Sequence, residues 1–240
     1  PRVTSGTLSG PKGHVISQVQ RDLGRLGFTE EQLLEGGLVI RTTLVQKAQQ
    51  SAVDAVSKFY PKKAPENLRI GLVAIRPGTG EIIALYGGRD YLERQLNDAT
   101  QSIALAGSTF KPFTLAAGIE SGATLATAFS GLNKTKVDNY VVVNYGGNSY
   151  GDRVTLLKAT ESSINSAYVE LAESVGRETV LEAAIRAGIP AEAVGMEPNL
   201  AFTLGTASPH VVDIAAAYAT FASRGLQVSP AYIKLITTAA

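Results

Sequence analysis

The chain has 240 residues, enough to bury a substantial core, and its 45% hydrophobic and 18% charged residues make an ordinary globular balance. A net charge of +1 gives no electrostatic case for a nucleic-acid partner, and the absence of cysteine excludes disulfides, a thiolate nucleophile and zinc knuckles. No apolar run reaches the ~18 to 20 residues that span a bilayer, and no signal peptide opens the chain.

Residues Pro1 to Gly13 are rich in Gly, Ser and Pro and read as linker. From His14, the spacing of Val15, Ile16, Val19, Leu23 and Leu26 predicts an amphipathic helix. "TEEQLLEGG" follows, with Thr29 as N-cap and acidic residues in the first turn. "LVIRTTL" (Leu38 to Leu44) predicts a strand and Gln46 to Phe59 a helix. "YPKKAPENL" then breaks the pattern with two prolines, and a domain boundary is expected there: an accessory segment over 1–66 and the main domain over 67–240. "RIGLVAIRP" and "EIIALYGG" around "GTG" predict a hairpin. Arg89 to Gly107 is poorly periodic and long enough to suggest a functional loop. A helix is expected from Ser108 to Glu120, and a mixture of strand formers and glycines over Val137 to Asp152. Helical patterns follow at Leu156 to Val175, Arg177 to Ala187 and Val211 to Arg224, with a closing strand from Tyr232. A hairpin first, helices in the middle and a strand at the end predict an α+β fold, not a repeated βαβ unit. The first residue is Pro1 and the last run, "IKLITTAA", stops without a turn, so the chain reads as part of something longer at both ends.

Within "GSTFKPF", Pro112 is tolerable only in the first turn of a helix, which puts Ser108 at or near the N-cap and Lys111 one turn on, on the same face. A serine hydroxyl is a poor nucleophile until a base takes its proton, and a lysine serves as that base when burial lowers its pKa. The spacing alone is weak, since Ser9 and Lys12 repeat it in a Gly-Pro stretch. "ESSINSAYVEL" adds Ser163 and Asn165, a hydroxyl suited to relay a proton and an amide suited to orient the lysine. Taken alone, the same pair reads equally well as a cap for the following helix. Tyr140, Tyr145 and Tyr150, alternating with glycines, read as packing more readily than as a stacking surface.

The ordered pair of motifs resembles the transpeptidase part of class A (bifunctional) penicillin-binding proteins. "EEQLLEGGLVIRTTL" resembles the linker of that class, "LVAIRPGTGEIIALYGGRDY" the hairpin before the active site, and "LNDATQS" the approach to the nucleophile. "YGDRVTLLKATESSIN" and "LGTASPHVVDIAAAYATFASRG" resemble the later segments. The resemblance implies an antiparallel sheet packed with helices plus a mostly helical lobe, serine β-lactamase/transpeptidase-like and incomplete at the C-terminus. It implies peptidoglycan cross-linking at the extracytoplasmic face of a bacterial membrane, reached only through an upstream anchor absent here. Ser108 would attack the D-Ala-D-Ala amide of a stem peptide and carry the acyl group, and β-lactams would acylate the same serine. Lys111 would be the base, Ser163 the proton relay and Asn165 a partner of Lys111 and of the substrate amide. No metal or organic cofactor is implied.

Departures are also present. The family's Lys-Thr-Gly strand lies C-terminal to everything here; "NKTK" (Asn133 to Lys136) lacks the glycine and precedes the Ser-x-Asn. Without that strand the polypeptide is expected to lack half its cleft wall and to be inactive alone. Val45 stands where the family often has Asp, and Ala106 where Pro commonly precedes the glycine. A serine β-lactamase is the nearest rival, but "EPNLA" replaces the asparagine of the deacylation loop with Ala201, which leaves Glu197 an ordinary loop acid. A non-catalytic scaffold or sensor module is the second, opposed by the intact Ser108, Lys111, Ser163 and Asn165. A Ser-His-Asp hydrolase fits poorly: the histidines are His14 and His210, Asp213 follows His210 at helical spacing, and no Gly-x-Ser-x-Gly elbow exists.

Overall fold

A computed structural model describes residues 5–35 and 37–238. In chain order the elements are α1 (Ser5–Leu8), α2 (Lys12–Arg25), α3 (Glu30–Glu35), β1 (Leu38–Thr42), α4 (Gln46–Phe59), β2 (Leu72–Ile75) and β3 (Ile82–Tyr86). A 3-10 turn, Gly107–Phe110, leads into α5 (Lys111–Glu120), followed by β4 (Ala128–Phe129), β5 (Thr135–Val137), β6 (Tyr140–Val142) and β7 (Val154–Thr155). The chain continues with α6 (Leu156–Glu161), α7 (Asn165–Val175), α8 (Arg177–Ala187), α9 (Val211–Ala222) and β8 (Ile233–Thr238). The architecture is α+β, with its strands in antiparallel pairs. The chain divides into two compact units: one formed by residues up to Ile103 together with those from His210 on, the other by Ala104–Pro209.

In the first unit β1 pairs with β8, Leu38 opposite Thr238, and β2 pairs with β3, Leu72 opposite Tyr86. The "GTG" turn closes with an Arg76 N–H to Glu81 carbonyl bond of 2.9 Å, and Gly78 and Gly80 supply the positive φ values, 76° and 71°. The side-chain amide of Gln49, on α4, completes the backbone pairing of β3. It donates to the Leu85 carbonyl at 2.7 Å and accepts from the Leu85 N–H at 2.8 Å, so an edge strand gains a side chain in place of a neighbour. Ile82, Leu85, Ala99, Val212 and Tyr232 form the core beneath.

The second unit is mostly helical. Its core gathers Leu156, Ala159, Ile164, Ala167, Tyr168 and Leu171, and α5 packs against α7 and α8. Gly118 of α5 lets α7 approach, because a Cβ there would lie 2.8 Å from Leu171.

The structure changes two sequence expectations and bears out a third. The N-terminal linker is helical from Ser5, and Pro11, with φ −62°, starts α2 because its ring angle is already helical; residues 1–4 lie outside the described residues, as do the last two of "IKLITTAA". Leu156 to Val175 is two helices, because Ser163 turns left-handed with φ 52° and ends the first hydrogen-bond ladder. The predicted Thr29 cap does form, and as a reciprocal box: Thr29 Oγ1 accepts from the Gln32 N–H while Gln32 Oε1 accepts from the Thr29 N–H.

Candidate active site

The turn that carries Ser108 is held at its backbone. Gly107 enters with φ 57°; its N–H bonds the Gly205 carbonyl at 3.0 Å, and the Ala106 N–H bonds the Ala207 carbonyl at 2.9 Å. Gly205 must be glycine: its φ is 80°, and a Cβ would fall on the carbonyl oxygen and amide nitrogen of Gly107. Beneath the turn Phe110 is fully buried, edge-on to Phe113 and Phe202 with ring centroids 4.8 Å away in each case. Thr114 and Thr203 share a buried hydroxyl bond of 2.6 Å. Pro112 lies in the first turn of α5, as its missing N–H requires.

Ser108 is not the helix N-cap. It lies inside the 3-10 turn, and the residues flanking that turn and α5, Ala106 and Phe110, have helical backbones that offer no side-chain cap. The tighter winding leaves the Ser108 hydroxyl exposed and available to Lys111.

Ser163 and Asn165 come from the break between α6 and α7. The Ser163 N–H returns to the Thr160 carbonyl, and Ile164, 1% exposed, pins the turn in the core. The N-cap of α7 is Ile164, so neither Ser163 nor Asn165 caps the helix and both side chains stay available. The Asn165 Nδ2 donates to the Val143 carbonyl at 2.9 Å. A carbonyl only accepts, so the amide nitrogen must face Val143 and Oδ1 must face the other way.

The other way is Lys111. Its Nζ lies 2.7 Å from Ser108 Oγ, 3.1 Å from Ser163 Oγ and 2.8 Å from Asn165 Oδ1. All four residues singled out in the sequence therefore meet at one nitrogen. Lys111 is 4% exposed and its Nζ sits over the Tyr168 ring, 5.7 Å from the centroid. Burial lowers its pKa from 10.5 to about 8, and no carboxylate among the described residues offsets that.

The remaining candidates lie elsewhere. His210 is the residue before α9; its N–H donates to Asp213 Oδ2 at 2.9 Å and its Nδ1 is 3.0 Å from the Ser102 carbonyl, so this pair starts a helix. His14 is buried against the edge of Tyr91. Glu197 is exposed in a loop. Among the described residues, no group of three His, Cys, Asp or Glu side chains is arranged to hold a metal. The tyrosines divide: Tyr140 packs on a core of Val137, Val142, Val169 and Leu200, whereas Tyr145 is 90% exposed, against the packing expectation. That segment also holds a residue the sequence reading passed over, Asn144, 1% exposed and bonded on every side; the only signal was an asparagine ahead of a glycine pair in "NYGGN".

A family model described as the penicillin-binding protein transpeptidase domain matches residues 70–238. Penicillin-binding protein 1A of Mycobacterium tuberculosis is 32% identical over 96% of this chain, which spans 29% of that protein. Penicillin-binding protein 2D of Bacillus subtilis is 31% identical over 90% of this chain, again spanning 31% of the relative. The chain thus covers about three tenths of the length of these relatives. Among solved structures, the PonA1 protein from Mycobacterium tuberculosis in complex with penicillin V is similar with a TM-score of 0.87 and 30% identity, covering 96% of this chain and 63% of that one. Because the matched segment takes in most of the sequence, with Lys111 and the three side chains around its nitrogen, the chain belongs to the penicillin-binding protein transpeptidase domain family.

Proposed function

We propose that this chain carries the acyl-transfer site of a serine D,D-transpeptidase that cross-links peptidoglycan and is a target of β-lactams. The observation that carries the proposal is the three-way bonding of a buried lysine nitrogen to two serine hydroxyls and one amide oxygen. With its pKa lowered to about 8, about a tenth of Lys111 is neutral at pH 7. A neutral amine has two N–H bonds and one lone pair. Asn165 Oδ1 takes one N–H, Ser163 Oγ takes the other, and the lone pair is left for the hydroxyl of Ser108.

Lys111 accepts the Ser108 proton as Oγ attacks the carbonyl carbon of the D-Ala-D-Ala amide. The backbone N–H of Ser108 is one donor to the oxyanion. As the C–N bond breaks, the proton passes from Lys111 through Ser163 to the departing D-alanine nitrogen. An acceptor amine from a neighbouring strand then attacks the ester, gives up a proton by the reverse route and releases Ser108. A β-lactam acylates Ser108 by the first half of the same sequence. Asn165 binds the substrate amide in addition to Lys111. The accessory segment is 1–66 and the transpeptidase domain 67–240, working at the extracytoplasmic face of the membrane. A relative solved with penicillin V supports the β-lactam reading.

The test is intact-mass spectrometry after incubation with benzylpenicillin, on this chain and on one extended through a Lys-Thr-Gly strand, with Ser108→Ala as control. A single persistent adduct that the substitution abolishes is expected on the extended chain. An adduct that survives Ser108→Ala, or none on either chain, refutes the assignment.

A further inference from the structure

We infer that Asn144 is a positioning residue that sets the direction of the Asn165 amide, and through it the lone pair of Lys111. The consequence for chemistry rests on the acyl-transfer reading above; the geometric part does not.

Every polar atom of Asn144 has a partner. Its Oδ1 accepts from the Ser166 N–H at 3.0 Å, and its Nδ2 donates to the carbonyls of Gly131 and Asn148, each at 3.1 Å. Its backbone N–H donates to Asn133 Oδ1 at 3.0 Å, and its backbone carbonyl accepts from the Gly147 N–H at 2.9 Å. One residue thereby ties together residues 131–133, residues 144–148 and the first turn of α7.

Two effects follow at the site. The Ser166 N–H belongs to the first turn of α7, where N–H groups lack partners within the helix. Ile164, the N-cap, has no side-chain acceptor, so Asn144 acts as a cap supplied by another segment. Fixing Asn144 also fixes the carbonyl of its neighbour Val143, 2.9 Å from Asn165 Nδ2. Were that carbonyl free to swing away, Asn165 would be free to rotate its amide by half a turn. The NH2 group would then face Lys111 and donate into the lone pair that Ser108 needs, quenching the base. Asn144 is bonded to neither Ser108 nor Lys111, so its effect reaches them through Asn165, by way of the Val143 carbonyl and the first turn of α7.

The test uses Asn144→Ala, with Asn133→Ala as a second variant that loosens the same segment from the less buried side. Two readouts are taken on full-length 15N-labelled protein: the Asn165 side-chain amide resonances, assigned by their loss in Asn165→Ala, and penicillin V acylation resolved into a dissociation constant and a first-order acylation constant. The inference predicts that both variants shift the Asn165 amide resonances and speed their exchange with water. The acylation constant falls about 10- to 100-fold for Asn144→Ala and less for Asn133→Ala, and the dissociation constant rises by a smaller factor, because Asn165 also binds the substrate amide. Cooperatively folded variants with unchanged Asn165 resonances, or with a wild-type acylation constant, overturn it. If Asn144→Ala does not fold, Asn133→Ala decides by the same criteria. If the wild type forms no adduct, the acyl-transfer reading fails instead, and the amide resonances alone support or overturn the orienting role.

Discussion

Lys111 brings an ammonium group into a site where 4% of its surface meets solvent, and the fold is less stable for it. The pKa falls from 10.5 in the unfolded chain to about 8 in the folded one, which costs about 3 kcal/mol. A folded pKa below the unfolded value means that the unfolded state holds more protons between pH 8 and pH 10.5. Stability therefore rises with pH across that window, and the full penalty applies below it. Lys111→Met keeps an unbranched chain over Tyr168 and removes the charge. It also removes the bonds to Ser108, Ser163 and Asn165, whose polar ends are only partly buried and regain water. The expected net effect is a gain of about 2 to 3 kcal/mol at pH 7, together with loss of acylation. Urea unfolding followed by far-UV circular dichroism at pH 7, 8, 9 and 10 measures it. The gap between variant and wild type should be constant up to pH 8 and close steadily above. A variant less stable than wild type at pH 7, or a gap that does not change with pH, refutes burial as the cause of the lysine's lowered pKa.

Two more predictions concern the scaffold around the site. Gly205→Ala drives a Cβ into the Gly107 backbone, which cannot give way as a side chain would; about 3 kcal/mol of stability should be lost, and a melting temperature within about 2 °C of wild type would contradict it. Val45 occupies the N-cap of α4 with extended angles, φ −103° and ψ 115°, and no side-chain cap. Val45→Asp should therefore add about 1 kcal/mol by accepting a first-turn N–H and placing negative charge at the helix start. Denaturant midpoints compare it with Val45→Ala, and an equal gain from alanine would rule capping out.

The features legible in the sequence are those set by neighbours along the chain. The helix Gln46–Phe59, the "GTG" hairpin and the Thr29 cap depend on local periodicity and turn chemistry, and each forms where the pattern places it. Pro112 likewise forces a helix start and brings Ser108 and Lys111 within one turn of each other. Other features depend on groups far away in the chain. The apolar pattern runs through "ESSIN" without a break, because Leu156 and Ile164 enter the same core; only the left-handed backbone of Ser163 reveals two helices. Tyr145 and Tyr140 look alike in sequence, yet one stands in solvent while the other packs, because only Tyr140 faces a core. Lys111 meets Ser163, 52 positions away, only because α5 packs on α7. The lowered pKa comes from the burial that this packing produces, and the direction of the Asn165 amide from a carbonyl 22 positions before it. Residue types and short spacings thus specified the chemical groups of the site, while burial and orientation were left to packing, since both depend on which distant atoms replace water around each group.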